Sequence, residues 1–188
     1  MTPSHHSGPA PERTLDSRQV YSGRIVGLRV DTVELADGKT SVREIVEHGD
    51  CVVVVPIDDD GNALLVRQYR KAMEAFLVEA VAGGIDDGES PDQAAQRELA
   101  EETGFAAGRL RRLAGGYSSP GFCTEFMHIY LAEDLVPTAA QPDDDEVIEV
   151  VPVPLASVVE LIERGDIRDV KTIAALLLVR IHLQPATG

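Results

Sequence analysis

Three carboxylates, Glu98, Glu101 and Glu102, fall within one short stretch that reads as helix. Glu98 and Glu102 are four residues apart and share a face, with Glu101 beside them. Like charges at this spacing destabilise a helix by about 0.2–0.5 kcal/mol per pair, and the only cation between Pro91 and Gly104 is Arg97. A hard divalent ion would relieve the repulsion. Mg2+, or Mn2+ in its place, takes carboxylate oxygens and keeps water and phosphate oxygens as its remaining ligands, so the pattern points to chemistry on a phosphorylated substrate. Taken alone, an acidic run is more often a solvated helix face, and the surrounding elements decide between the two.

Those elements are well marked. Ser90 is placed to cap the helix, Pro91 sits where a missing N–H costs nothing, Gln93 completes a capping box, and Gly104 offers a left-handed stop. Upstream, FLVEAVA (76–82) predicts a strand that delivers Gly83 and Gly84 to the start of the helix loop. Glu79 is the one acid in that strand and needs a partner if it is buried. A glycine at Gly83 makes sense where backbone must approach an ion or phosphate closely.

Gly83, Glu89, Arg97, Glu98, Leu99, Glu101, Glu102, Gly104 and Phe105 fill every defined position of the pattern G-x5-E-x7-R-E-U-x-E-E-x-G-U, where U is a bulky aliphatic or aromatic residue. The stretch resembles the Nudix box, and at ordinary composition its fixed residues coincide by chance in roughly one window in 10⁸. The resemblance implies an α/β protein, a Nudix α/β/α sandwich with a mixed sheet, that hydrolyses a nucleoside diphosphate linked to another moiety with a divalent metal. It implies that Glu98, Glu102 and the backbone carbonyl of Ala82 hold metal and that Glu101 is a further ligand or hydrogen-bond partner. Glu89 would pair with Arg97 or reach metal through water, and Arg97 and Glu101 would belong to the catalytic set.

The rest of the chain fits one catalytic domain with an elaborated beginning. Residues 1–14 are rich in Pro, Ser and His without periodicity and are expected to be a disordered tail. Residues 15–48 carry short strands, over 21–30, 31–35 and 40–48, with a hairpin signal at Asp37-Gly38. This small antiparallel sheet needs something to pack on, and the resemblance implies that it helps form a homodimer. Residues 49–188 form the catalytic domain. CVVVVPI (51–57) reads as a strand buried on both faces, DDDGN (58–62) as a turn, and ALLVRQYR (63–70) as the returning strand.

Several residues outside the box are candidates for gripping substrate. Arg67 and Arg70 close their strand, where a guanidinium can clamp a diphosphate bidentately; RQYR is similar to the RQxR of ADP-ribose-type Nudix enzymes. Arg43 is the parallel case in the N-terminal sheet. Pro120, sixteen residues past Gly104 within SPGxxxE, resembles the mark of the ADP-ribose pyrophosphatase branch, which adds Pro120, Gly121 and the aromatic face of Phe122 to the substrate-binding set. Residues 133–146 are expected to be a surface loop. DDDEVIEVV is similar to the acid-then-VEV passage of that branch and puts Glu146 at the general-base position, with Asp144, Asp145 and Glu149 as fallbacks. IRDVKT (167–172) resembles a passage of GDP-mannose hydrolases, which makes Lys171 a further candidate. Two helices, over LASVVELIERG and DVKTIAALLLVRIHL, close the chain.

Composition narrows the partners. A net charge of −15 excludes a broad basic surface for nucleic acid, whereas a small anionic substrate needs only metal and a few arginines. Cys51 and Cys123 have neither metal-site nor disulfide spacing and read as reduced thiols. No charged-then-apolar leader is evident and no apolar run is long enough to span a membrane, so a cytoplasmic enzyme without membrane or nucleic-acid partners is expected. The expected reaction is Mg2+-dependent hydrolysis of ADP-ribose to AMP and ribose 5-phosphate. GDP-mannose or another nucleoside diphosphate sugar is the alternative substrate, and a non-catalytic ADP-ribose-sensing domain the alternative of another class.

Overall fold

The computed structural model describes residues 10–139 and 147–183. Its residues divide into two units: one runs to Gly49 and takes in Tyr117–Glu125, and the other comprises Asp50–Gly116 and the chain from Phe126 onward.

The first unit is an antiparallel sheet of β1 (Arg13–Ser22), β2 (Val26–Glu34) and β3 (Thr40–His48) in chain order. Gly38, at φ 81°, turns the β2–β3 hairpin, its N–H reaching Leu35 O at 2.9 Å. The break between β1 and β2 falls at residues 23–25, not between 30 and 31. Arg13 and Thr14, read from sequence as tail, are paired with Glu34 and Val33. Exposure explains the error: every residue of β1 is exposed, so the strand carries no alternation to detect. The second departure is that residues 117–125 fold with this sheet and not with the catalytic unit. Val46 donates to Phe122 O (2.7 Å) and accepts from Thr124 N–H (3.0 Å), and the Thr124 hydroxyl bonds both backbone groups of His48.

The second unit is built on β4 (Cys51–Pro56), buried at all six positions. A four-stranded mixed sheet runs β7 (Val81–Gly84), β4, β9 (Phe126–Pro137) and β8 (Phe105–Tyr117), with β4 antiparallel to β7 and parallel to β9. Because side chains alternate along a strand, β4 feeds two cores. Val52 and Val54 meet Ala94, Ala95 and Leu99 of α1 (Pro91–Thr103). Val53 and Val55 meet α3 (Val170–Leu183) through Ala175, Leu176 and Val179. Helices on both faces of a mixed sheet make the α/β/α sandwich.

A second antiparallel sheet orders β10 (Glu149–Pro154), β5 (Asn62–Arg70) and β6 (Ala75–Glu79). Pro152 and Pro154 are tolerated because β10 is an edge strand. Asp58 organises the β4–β5 turn by accepting from Asp60 N (3.0 Å), Asn62 N (2.7 Å) and Asn62 Nδ2 (3.0 Å). A 3-10 turn, Leu155–Ser157, leads into α2 (Val158–Arg164), which stops at Gly165.

Two sequence expectations need correction here. FLVEAVA is not one strand: the chain leaves one sheet after Glu79 and enters the other at Val81. Nor does the surface loop begin at residue 133, since β9 continues to Pro137. No helix among the described residues is long and apolar enough to cross a membrane.

Candidate active site

Helix α1 begins as its sequence demands. Ser90 Oγ accepts from Gln93 N–H, Gln93 Oε1 accepts from Ser90 N–H at 2.9 Å, and Gly104 ends the helix at φ 75°. Leu99 and Glu102 point inward and are buried. A pair of bonds between Gln96 and the Ala107 backbone (3.0 and 3.1 Å) ties the helix to β8, and the Tyr130 hydroxyl donates to Asp92 at 2.6 Å in the first turn. Burial, and then that bond, push the Tyr130 phenol well above its ordinary pKa, so it stays protonated and donating.

Arg97 is the hub of the carboxylates. Its Nε and Nη2 bind Glu89 at 3.0 and 2.9 Å, its Nη1 binds Glu98 at 2.6 Å and Glu101 at 3.1 Å, and its Nη2 also donates to Gly84 O at 2.9 Å. All five N–H donors of the guanidinium are thereby committed to the protein. Glu89 also accepts from Asp86 N–H at 3.1 Å. Its carboxyl is held below the usual range, first by the Arg97 hydrogen bond. Arg97 therefore arranges the acids and has no donor left over for a substrate.

Opposite the helix, β7 presents Ala82, Gly83 and Gly84. A Cβ at Gly83 would overlap the Glu98 carboxylate, so the absence of a side chain is what lets Glu98 lie against the strand. Glu102 is 5% exposed, with its Oε1 3.5 Å from Ala82 N. The donors collected here, carboxylates and backbone carbonyls, are all hard oxygens and fit a hard divalent cation. Among the described residues no three acid, imidazole or thiolate groups converge at chelating distance; Glu89, Glu98 and Glu101 are each paired with Arg97.

This geometry is accompanied by sequence likeness over most of the chain. Residues 47–176 match the model of the NUDIX domain, and residues 12–46 match the nucleoside diphosphate sugar hydrolase N-terminal domain. The chain belongs to the Nudix family. It is 40% identical over 172 residues to an ADP-ribose pyrophosphatase of Bacillus subtilis (strain 168), covering 90% of this chain and 93% of that protein. A GDP-mannose pyrophosphatase of Yersinia enterocolitica is 34% identical over 159 residues, covering 78% and 83%. A crystal structure of an ADP compounds hydrolase matches at a TM-score of 0.86 and 31% identity, covering 94% of this chain and 96% of that one.

The Nudix box is thus the organised centre of the second unit, and the other candidates lie around it or elsewhere. Arg70 and Lys171 converge on the buried Glu79: Arg70 Nε and Nη2 bind its two oxygens at 2.9 and 2.7 Å, and Lys171 Nζ binds at 2.7 Å. Burial works to raise the Glu79 carboxyl, but these two cations outweigh it and hold the group ionised. Arg67 is exposed, bonded to Glu149 at 3.2 Å across the β5–β10 ladder and stacked 4.5 Å above the Phe76 ring. Glu149, a fallback base, is engaged there.

Arg43, Pro120, Gly121 and Phe122 belong to the first unit. Arg43 pairs with Glu12 and donates to Ser41 Oγ and Val42 O at 3.0 Å. Ser119 O accepts from Phe122 N (3.1 Å) and Cys123 N (2.9 Å), closing the SPGF turn and leaving the Phe122 ring exposed. Glu146, Asp144 and Asp145 lie outside the described residues. What sequence reasoning missed is the role of Glu79. Its signal was a lone acid in an apolar strand, but its lysine lies 92 residues away.

Proposed function

We propose that this Nudix hydrolase cleaves the diphosphate of ADP-ribose, using Mg2+, to give AMP and ribose 5-phosphate. The observation that carries the reading is the seating of the Glu98 carboxylate against the side-chain-free Gly83 backbone within an intact, Arg97-organised box. The 40% identity to an ADP-ribose pyrophosphatase supports the substrate.

In this reading Glu98, Glu102 and the Ala82 carbonyl would hold the ion, with Glu89 and Glu101 supporting them. Bound metal supplies charge neutralisation for the diphosphate and lowers the pKa of a coordinated water. Arg97 fixes the acids in place. Arg70 and Lys171 offer cationic donors to the diphosphate, and Arg67 stands at the same strand end. Glu146 accepts the proton of the attacking water; the new P–O bond forms as the P–O–P bridge breaks, and the displaced phosphate oxygen leaves as part of the second monophosphate. Arg43, Pro120, Gly121 and Phe122 enter through the likeness of their motifs to ADP-ribose-type enzymes.

The reading includes a homodimer through the N-terminal sheet, where β1 exposes Leu15, Val20 and Tyr21; sedimentation of the wild type against a Leu15→Asp/Val20→Asp variant tests it. It also includes a cytoplasmic setting, which suits two cysteines that form no disulfide. GDP-mannose is the competing substrate, favoured by the 34% identical GDP-mannose pyrophosphatase. A phosphate-release panel with coupled phosphatase, over ADP-ribose, GDP-mannose, other sugar nucleotides, diadenosine polyphosphates and NADH, decides between them. Highest kcat/KM on ADP-ribose is expected, preference for GDP-mannose would replace the substrate, and no turnover on any compound would favour a sensing domain.

A further inference from the structure

We infer that Glu79 is a positioning residue for diphosphate binding: a buried carboxylate that holds Arg70 and Lys171 together as one cationic cradle at the foot of the strand carrying Ala82 and Gly83. The inference rests on the functional reading above, and it concerns a residue outside the box.

The geometry is specific. Glu79 is 1% exposed, and both its oxygens are taken by three N–H groups from two cations. Arg70 presents Nε and Nη2 to it in a fork and keeps Nη1 outside the pair, with 38% of its side chain exposed. Lys171, in the first turn of α3, is 21% exposed. Arg70 lies within electrostatic reach of Glu102 in the box.

The backbone is tied to the same cluster. Asp169 accepts from Lys171 (2.9 Å), Thr172 N–H (3.0 Å) and the Thr172 hydroxyl (2.5 Å), and Thr172 Oγ1 accepts from Ala80 N–H at 2.8 Å. The chain is therefore pinned where it crosses from β6 to β7, just before Ala82 and Gly83.

Structure alone does not call for this arrangement. Apolar side chains of similar volume commonly stabilise a core as well as a buried ion pair does. Here two cations are held against Glu79 and Asp169, each cation with part of its surface open. A diphosphate is bound best by donors already fixed in orientation, because less side-chain freedom is lost on binding. Glu79 supplies that fixation for both cations at once.

A mutant cycle read by calorimetric binding of inorganic pyrophosphate with Mg2+ tests the role. Glu79→Gln in the wild-type background should weaken binding about tenfold, the effect of losing a charged hydrogen-bond partner, and should raise KM for ADP-ribose more than it lowers kcat. In an Arg70→Met/Lys171→Met background, adding Glu79→Gln should change pyrophosphate affinity no further, since the groups it positions are gone. Equal losses in both backgrounds, no loss in the first, or no pyrophosphate binding by the wild type would each overturn the proposal. If Glu79→Gln fails to fold, Glu79→Asp takes its place in the same cycle, with a smaller loss in the first background and none in the second. Pyrophosphate binding needs no turnover, so a wild type inactive on every sugar nucleotide would sink the functional reading while leaving the cycle readable.

Discussion

Two charge clusters adjoin β7, one through α1 and one through the end of β6, and they are built in opposite senses. On the helix side one guanidinium, Arg97, gathers the carboxylates of Glu89, Glu98 and Glu101, an excess of two negative charges. Where the chain crosses from β6 to β7 one buried carboxylate, Glu79, gathers Arg70 and Lys171, and Asp169, which also binds Lys171, brings the cluster to charge balance. The helix cluster is partly open, with the Arg97 side chain 29% exposed, whereas the centre of the other, Glu79, is 1% exposed. A site left electronegative suits a cation, and one that is balanced but keeps two cationic side chains partly open, Arg70 and Lys171, offers fixed donors to an anion. The pair together suits a metal-bound diphosphate, and β7 is stripped to glycine where the Glu98 carboxylate must come close.

If the electronegative cluster is the catalytic one, the largest effect of any substitution should fall on it. Glu98→Gln and Glu102→Gln are each expected to lower kcat by about a hundredfold or more, because each removes a carboxylate charge from the set proposed to hold the catalytic metal. Circular dichroism should show both variants folded. Near-wild-type turnover in both would dissolve the contrast between the clusters.

The next effect separates space from charge. Gly83→Ala adds no charge, but its Cβ would overlap the Glu98 carboxylate and displace it from the strand. Activity should fall at least about tenfold, which corresponds to about 1.4 kcal/mol of lost transition-state stabilisation, while Gly84→Ala, where nothing lies within 4 Å of the added atom, should be much milder. Equal losses in the two would assign the effect to strand flexibility and not to the seat of Glu98.

How much of this was visible in the sequence depends on the range of each interaction. The box helix was legible because Ser90, Gln93 and Gly104 act on their own neighbours. β4 was legible because its valines fill two cores at once. The Asp37-Gly38 and Asp58–Asn62 turns close on themselves through bonds a few residues long. What stayed hidden is decided at a distance. The change of sheet at Ala80 leaves no mark in an apolar run, because either sheet accepts the same residues. Partners such as Glu79 with Lys171 and Arg67 with Glu149 are chosen by the packing of elements far apart in sequence. The attachment of 117–125 to β3 runs through the Val46 backbone and a single threonine hydroxyl, Thr124, whose partner His48 lies 76 residues away.

Arg97 offers a smaller, sharper test of the helix cluster. Arg97→Met leaves Glu89, Glu98 and Glu101 facing one another without their shared cation, so the melting temperature in EDTA should drop by several degrees, corresponding to about 1–3 kcal/mol. Millimolar Mg2+ should then recover a larger share of stability in the variant than it adds to the wild type, since binding to the folded state stabilises by mass action. Identical Mg2+ shifts in both proteins would mean that the ion and Arg97 do not share these carboxylates.

The smallest effect is in acid, and it compares the clusters directly. Both Glu89 and Glu79 have carboxyls held below their ordinary value, Glu89 chiefly by the Arg97 hydrogen bond, Glu79 by Arg70 and Lys171 against the opposing effect of burial. A carboxyl whose folded pKa lies below the unfolded value of about 4.3 contributes stability that is fully present above that value. The contribution is lost as pH falls through the folded pKa, so in EDTA the melting temperature should hold above about pH 5 and decline below about pH 4. Glu79→Gln should flatten the decline more than Glu89→Gln, because Glu79 is 1% exposed and Glu89 15%, and water screens the more exposed pair. A steeper share for Glu89 would show that the acid-sensitive charge network is the one around Arg97, and that the cradle around Glu79 is held mainly by packing.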